Sequence, residues 1–255
     1  MFVINILVTN DDGIHSEGIK ILASLMRDYG KVYVVAPDSE KSAVGHGITT
    51  HRPLRIREME NYLPGIEMAY QVSGTPADCV KIAIEHLFDF HPDILVSGIN
   101  YGSNLGTDVL YSGTVSAAIE GSINDIGLCI AFSLAGRVKM NYDAAEAFIP
   151  EIMATSIADS ARGTILNVNI PSVSREEING IHYTELGVQK YKNAFIERED
   201  PHGGKYFWMA GVPERLDNND KSDLKAMEDK IISVTPLQYD MTNYFLLKQK
   251  TDLNF

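Results

Sequence analysis

Positive charge is scarce in this 255-residue chain: 22 Lys and Arg stand against 34 Asp and Glu, a formal net charge of −12. So acidic a protein has no general electrostatic pull on a nucleic-acid duplex or an anionic membrane. A site for an anion must therefore draw on backbone N–H groups, a local base or a bound cation. Cysteine is also rare. The two present, Cys79 and Cys129, lie in apolar stretches with no CxxC pair and no neighbouring histidine cluster. That leaves zinc and dithiol chemistry unsupported, and both read as small buried hydrophobes. No apolar run approaches the roughly 20 residues of a membrane span. The opening MFVINILVTNDDG lacks a basic segment and a cleavage site, so the protein is expected in the cytoplasm. Neither a G-x-S-x-G elbow, a Rossmann glycine fingerprint nor a Walker loop occurs, which argues against a serine-elbow hydrolase and weakens NAD and phosphate-loop readings.

What is present alternates. NILVTN, KVYVVAP, PDILVSGIN, IGLCIAFSL and TILNVNIP read as buried strands. Between them, SEGIKILASLMRDYG repeats apolar residues at helical spacing with Gly30 as its stop. SGTPADCVKIAIEHLF opens a helix with Thr75 as N-cap, Pro76 at the first position and Asp78 at the third. SGTVSAAIEGSIND and DAAEAFIPEIMATSIADSA are further helices, the last interrupted by Pro150. TTHRPLRIREME and EMAYQVSG suggest a hairpin outside the alternation. This pattern predicts an α/β fold with a mostly parallel sheet and helices on both faces, whose ligands bind beyond the carboxyl ends of the strands. From about residue 180 the texture changes: HYTELGVQKYKNAFIERED and KYFWMAG read as antiparallel strands around DPHGG, followed by a polar loop, a short helix and the strand ISVTPL. The expected division is a core over 1–180 and, over 181–255, a C-terminal β-hairpin extension that packs on the core and on a partner subunit. Phe195, Tyr206, Phe207 and Trp208 on that hairpin are a subunit contact, part of a base-binding wall, or both.

The candidate chemistry gathers at strand ends. Asp11 and Asp12 in TNDDG are adjacent carboxylates that repel each other, and a hard divalent cation with a preference for oxygen donors relieves that repulsion. The same residues also suit a plain Asp-Gly turn with solvated side chains. The loop APDSEKSAVGHG offers Ser39 and Ser42 as neutral ligands or anion donors, and His46 as a phosphate holder, a proton carrier or an exposed side chain. Asn100 follows another buried strand, as the aspartates do. Ser112, Gly113 and Thr114 open a helix whose unpaired N–H groups form an anion site without net positive charge, although helix capping explains them as well. A divalent cation beside an anion pocket suggests phosphate-ester hydrolysis.

The blocks ILVTNDDGIHSEGIKIL, VVAPDSEKSAVGHGIT, SGTPADCVKIAI and DILVSGINYGSNLGTDVLYSGTVSAAIEG, in this order, resemble the signature blocks of the SurE family of metal-dependent 5′/3′-nucleotidases. The resemblance implies a Rossmann-like core with a C-terminal extension exchanged between subunits. It also implies homodimers or homotetramers, nucleoside monophosphate substrates, and one divalent ion per subunit, magnesium or manganese, held by Asp11, Asp12, Ser42 and Asn100. On this reading Asp11 or Asp12 accepts a proton from water, the spacing leaving open which, and Asn104, Ser112, Gly113 and Thr114 hold phosphate oxygens. Adjacent aspartates argue against the D-x-D arrangement of phosphatases that form an aspartyl-phosphate. SVTPLQYDMT resembles the family's C-terminal segment, whereas LDNNDKSDLKAMEDK departs from its usual TD-x2-A-x3-G lead-in. The rival reading is a non-catalytic nucleotide sensor using the same anion pocket.

Overall fold

The structure, a computed structural model, describes residues 3–136, 140–159 and 163–250. Its first strand, β1 (Asn5–Thr9), is followed by α1 (Glu17–Met26), β2 (Lys31–Pro37), β3 (Ile56–Glu58) and β4 (Met68–Val72). Next come α2 (Pro76–Ile82), β5 (Ile94–Tyr101), α3 (Gly113–Ile123), β6 (Leu128–Ala135), α4 (Asp143–Asp159) and β7 (Thr164–Pro171). The remaining elements are β8 (Ile181–Tyr183), β9 (Gln189–Lys192), β10 (Phe195–Glu199), β11 (Lys205–Met209), β12 (Val212–Arg215), α5 (Asp223–Glu228), β13 (Ile232–Leu237) and α6 (Tyr244–Lys250).

Nine strands form the central sheet in the order β3-β4-β2-β1-β5-β6-β7-β13-β8. From β4 to β7 every neighbouring pair is parallel, while β3 at one end and β13 beside β7 run antiparallel. Parallel strands buried on both faces need continuous apolar sequence, and the runs that predicted them supply it. On one face Ile6, Val8, Val34, Val96 and Ile130 meet Ile19, Leu22 and Met26 of α1 and Ile149, Ile152 and Met153 of α4. On the other, Leu7, Val35, Leu95 and Cys129 meet Cys79 and Val80 of α2 and Val115, Ala117 and Ala118 of α3. Each of the Val, Leu, Ile and Met side chains contributes roughly 1.5–3 kcal/mol on leaving water. Both cysteines are buried thiols, as expected.

The chain leaves β1 toward β2 on one side and fills β5, β6 and β7 on the other. The strand order thus reverses between β1 and β5, and the crevice at their carboxyl ends is where an open α/β sheet binds its ligand.

Several local expectations need correction. The first helix ends at Met26, four residues before Gly30. Helix α4 runs through Pro150 without a break, held by the burial of Ile149, Ile152 and Met153, while the carbonyl of Pro150 accepts a hydrogen bond from the Tyr29 hydroxyl at 2.8 Å. The last residues predicted for that helix, 160 and 161, lie outside the described residues. The run 182–200 is split among three sheets. Residues of β8 extend the central sheet beside β13, β9 pairs with β12, and β10 pairs with β11 as the hairpin around 200–204. Strands β8 and β13 thus return late sequence to the core sheet. The β10–β11 hairpin stands clear of it, with Phe195 64% and Trp208 66% exposed. Among the described residues, no helix is long and apolar enough to cross a membrane.

Candidate active site

Beyond Thr9 the chain turns sharply, and Asn10 fixes the turn by donating from Nδ2 to the Gly13 carbonyl at 2.9 Å and to Ser16 Oγ at 2.8 Å. This turn presents Asp11 and Asp12 at the strand-order switch. Asp11 is 6% exposed and lies against the first turn of α3, where Thr114 Oγ1 donates to its Oδ1 at 2.5 Å. A Cβ built on Gly113 would lie 3.0 Å from Asp11 Cβ and 3.1 Å from Oδ2. The glycine is what allows helix and carboxylate to come so close. Burial pushes the Asp11 carboxyl up to about 6, with the Thr114 hydrogen bond opposing and the neighbouring Asp12 charge adding to the rise. Asp12 is also raised by burial, against the hydrogen bond that the Tyr101 amide donates to its Oδ2 at 2.9 Å. Two carboxylates whose charge is disfavoured by their surroundings sit side by side, an arrangement that a cation stabilises.

Three further segments converge on this turn. At the end of β5, Asn100 donates from Nδ2 to the Gly102 carbonyl at 2.8 Å, which leaves its Oδ1 as an oxygen donor. On the loop after β2, the Lys41 amide donates to the Asp11 carbonyl at 2.7 Å, tying the segment that carries Ser42 to the aspartates. Ser42 itself is exposed and its hydroxyl donates to Glu40, so its oxygen can still serve as a ligand through its lone pairs. At the start of α3, Ser112 caps the helix by accepting from the Val115 amide at 3.1 Å. The amides of Gly113 and Thr114, in the first turn, have no acceptor within the helix.

The donor set suits a hard cation. Among the described residues no group of three or more His, Cys, Asp or Glu is arranged for a metal. A cation at this edge would therefore rest on two carboxylates completed by neutral oxygens, with no nitrogen or sulfur. That is the preference of magnesium and manganese rather than zinc or copper.

Asn104 is placed differently from the others. It is buried beside the site, where its amide donates to Asn169 Oδ1 and its Nδ2 to Ser133 Oγ, both at 2.8 Å. Its carbonyl accepts from Asn167 and Asn169 at 2.8 and 3.0 Å. It thereby braces the loop after β5 against β6 and β7. His46 does not join the aspartates: it meets Glu120 on α3.

Sequence reading missed a second layer. The buried Asp223 carboxylate accepts from the amides of Gly106 at 2.7 Å and Gly187 at 2.8 Å, joining the loop after β5 to the chain entering β9. Asp108 in turn accepts from Gln189 Nε2 at 2.7 Å and from the Tyr191 hydroxyl at 2.6 Å. One signal was available: Ser222, Asp223 and Ala226 stand where the TD-x2-A-x3-G pattern has Thr, Asp and Ala. Lys230, at φ 55°, occupies the left-handed position of its glycine. The apparent departure lay in two residue identities, with the geometry of the pattern intact.

The family model described as survival protein SurE matches residues 6–193. A 5′-nucleotidase SurE of Alkaliphilus metalliredigens is 50% identical over 251 residues, spanning 98% of this chain and 98% of the relative. A 5′-nucleotidase SurE of Carboxydothermus hydrogenoformans is 50% identical over 249 residues, spanning 96% and 94%. The crystal structure of the SurE protein from Aquifex aeolicus superposes with a TM-score of 0.83 at 39% identity, covering 97% of this chain and 98% of that one. Sequence and fold agree, and the chain belongs to the SurE family of phosphoric monoester hydrolases.

Proposed function

We propose that this chain hydrolyses nucleoside monophosphates with the help of one divalent cation, magnesium or manganese, held by Asp11, Asp12, Asn100 and Ser42. The observation that carries the reading is the pair of adjacent, charge-disfavoured carboxylates set beside the open N-terminus of α3. When bound, such a cation supplies Lewis-acid polarisation of a phosphoryl oxygen and acidifies water. The chain's own groups do the rest. The first-turn Gly113 amide and the Ser112 hydroxyl hold phosphate oxygens where the helix dipole favours negative charge, while Thr114, expected among the phosphate holders, gives its hydroxyl proton to Asp11 and serves the site through that carboxylate. The second N–H of the Asn104 amide, the first being held by Ser133, is the further donor we assign to the phosphate. Asp11 or Asp12 takes the proton from the attacking water. The nucleotidase names of the relatives support the substrate class. We assign the exposed aromatics of β10–β11 to contact with a second copy of the chain in a homodimer or homotetramer, which light scattering would check.

The test is phosphate release from a panel of nucleoside 5′- and 3′-monophosphates, after chelation and again with magnesium or manganese restored. We expect release to vanish with chelator and to return with either ion. Nucleotide binding without release under any metal would replace this reading with that of a sensor.

Gly113 offers a sharper local test. A methyl group there meets Asp11 at 3.0 Å and Pro76 Cγ at 3.3 Å, so one neighbour must move by a few tenths of an ångström. Gly113→Ala is expected to lower kcat/KM by about 10- to 100-fold through displacement of Asp11 at a stability cost of only about 1–3 kcal/mol. Steady-state kinetics beside a thermal melt separates the two effects, and an unchanged rate would show that Pro76 gives way and Asp11 keeps its place.

A further inference from the structure

The loop that carries Ser42 lies as a strap across the starts of α2 and α3. Its backbone is fastened at several points. The Lys41 amide bonds the Asp11 carbonyl, the Gly45 amide the Tyr111 carbonyl at 2.9 Å, and the Thr49 amide Asp78 Oδ1 at 3.0 Å, while the Gly47 carbonyl accepts from Thr75 Oγ1 at 2.7 Å. Its turn is tight, with Ala43 at φ 54° and Gly45 at φ 55°, and its residues are mostly exposed or half-exposed. Apolar packing therefore does little to fix it.

One side chain of the strap reaches inward between the two helices. His46 Nε2 lies 2.6 Å from Oε2 of Glu120, which is 3% exposed on α3. Glu120 also accepts from Asn124 Nδ2 at 2.8 Å and faces Lys81 Nζ of α2 at 3.3 Å. Burial pulls the Glu120 carboxyl upward, but the hydrogen bonds from His46 and Asn124 and the Lys81 charge outweigh it and leave it below the usual range. It is a carboxylate held by three donors, and such a buried, satisfied group is a rigid anchor.

We propose that His46 is a positioning residue. By gripping Glu120, two turns along α3, it holds the strap on the helix pair, so that Ser42 keeps its place on the segment that the Lys41 amide ties to Asp11. The proposal rests on the cation-dependent reading of the site. It assigns His46 neither to the phosphate nor to proton transfer, two roles its sequence position also allows.

The test compares His46→Ala, His46→Gln and Glu120→Gln with the wild type. Amide exchange over residues 41–49 is measured in chelated protein, Mn2+ affinity by calorimetry, and kcat and KM with Mn2+ present. His46→Ala is expected to speed exchange of the Lys41 and Gly45 amides by roughly tenfold or more while sheet amides keep their protection. Mn2+ affinity and kcat/KM should each fall about 10- to 100-fold, the range for loss of a group that supports metal ligands. His46→Gln, which keeps an N–H donor, should recover part of each effect, and Glu120→Gln should resemble it. Unchanged strap exchange in a His46→Ala protein that binds Mn2+ like the wild type overturns the proposal alone. A wild type that binds no Mn2+ overturns the cation reading and, with it, the role of Ser42 as a ligand.

Discussion

Replacing Asp11 by Asn is expected to abolish most turnover and yet make the metal-free protein more stable. The loss follows from removing one of two carboxylates that would hold the cation and serve as base, and should reach about 10³-fold or more in kcat. The gain follows from linkage. A carboxyl raised from 3.8 to about 6 in the folded state favours folding while protonated. That contribution is present below the unfolded value and is lost as pH rises through the folded one. At pH 7 the ionised Asp11 therefore costs about 3 kcal/mol in the absence of a cation. Asn keeps the oxygen that accepts from Thr114 and carries no charge to desolvate. In EDTA at pH 7 the variant should melt roughly 6 °C higher, and by pH 4.5 its advantage should shrink to about 1 kcal/mol. Melts at the two pH values check it. An Asn variant less stable than wild type at pH 7, or a difference indifferent to pH, would show that Asp11 is not held against its charge.

Such trade of stability for function was partly visible in the sequence. TNDDG after ILV places two charges at the end of a buried strand, against local preference, and functional sites are where such conflicts collect. The flanking strands were legible because parallel strands buried on both faces are written as unbroken apolar runs. The capping of α2 was legible because it is local: Thr75 accepts from the Asp78 amide and Asp78 from the Thr75 amide, as their spacing required.

What escaped depends on contacts distant in sequence. Asn167 and Asn169 break an apolar strand at every second residue, a visible signal, but their partner Asn104 is more than 60 residues away. The division of 182–200 among three sheets was hidden for the same reason, since β8 has only three residues and takes its place from β13 some 50 positions later. His46 could not be given a role until Glu120 was seen beneath it. The family resemblance pointed to the residues at the strand ends. The packing behind them needed the structure.

Asp223 is the strongest instance, and Asp223→Ala carries the largest expected cost to stability. The carboxylate is fully buried and accepts from Gly106, Gly187 and Leu224 amides, all within 2.8 Å. Burial raises its pKa while those three bonds oppose the rise. The backbones it joins nearly touch: Gly106 takes φ +50°, and a Cβ there would lie 2.5 Å from the Gly187 carbonyl oxygen. Among the described residues, the Asp223 carboxylate is the group that accepts from both the Gly106 and Gly187 amides. Alanine would leave at least two buried N–H groups unpaired at about 1–3 kcal/mol each, and an expected total near 4 kcal/mol. Asn is no remedy, since its Nδ2 would face a backbone donor where the second carboxylate oxygen had accepted. Urea denaturation should show the loss as a lower midpoint for both variants. Below that midpoint, amide exchange should rise together at 104–111 and 187–192, the two segments Asp223 joins. The loop that follows Asn100 and carries Asn104 would then lose its outer support, with kcat/KM falling while Asp11 and Asp12 remain in place. A variant as stable and active as wild type would mean that the C-terminal segment docks on this site without supporting it.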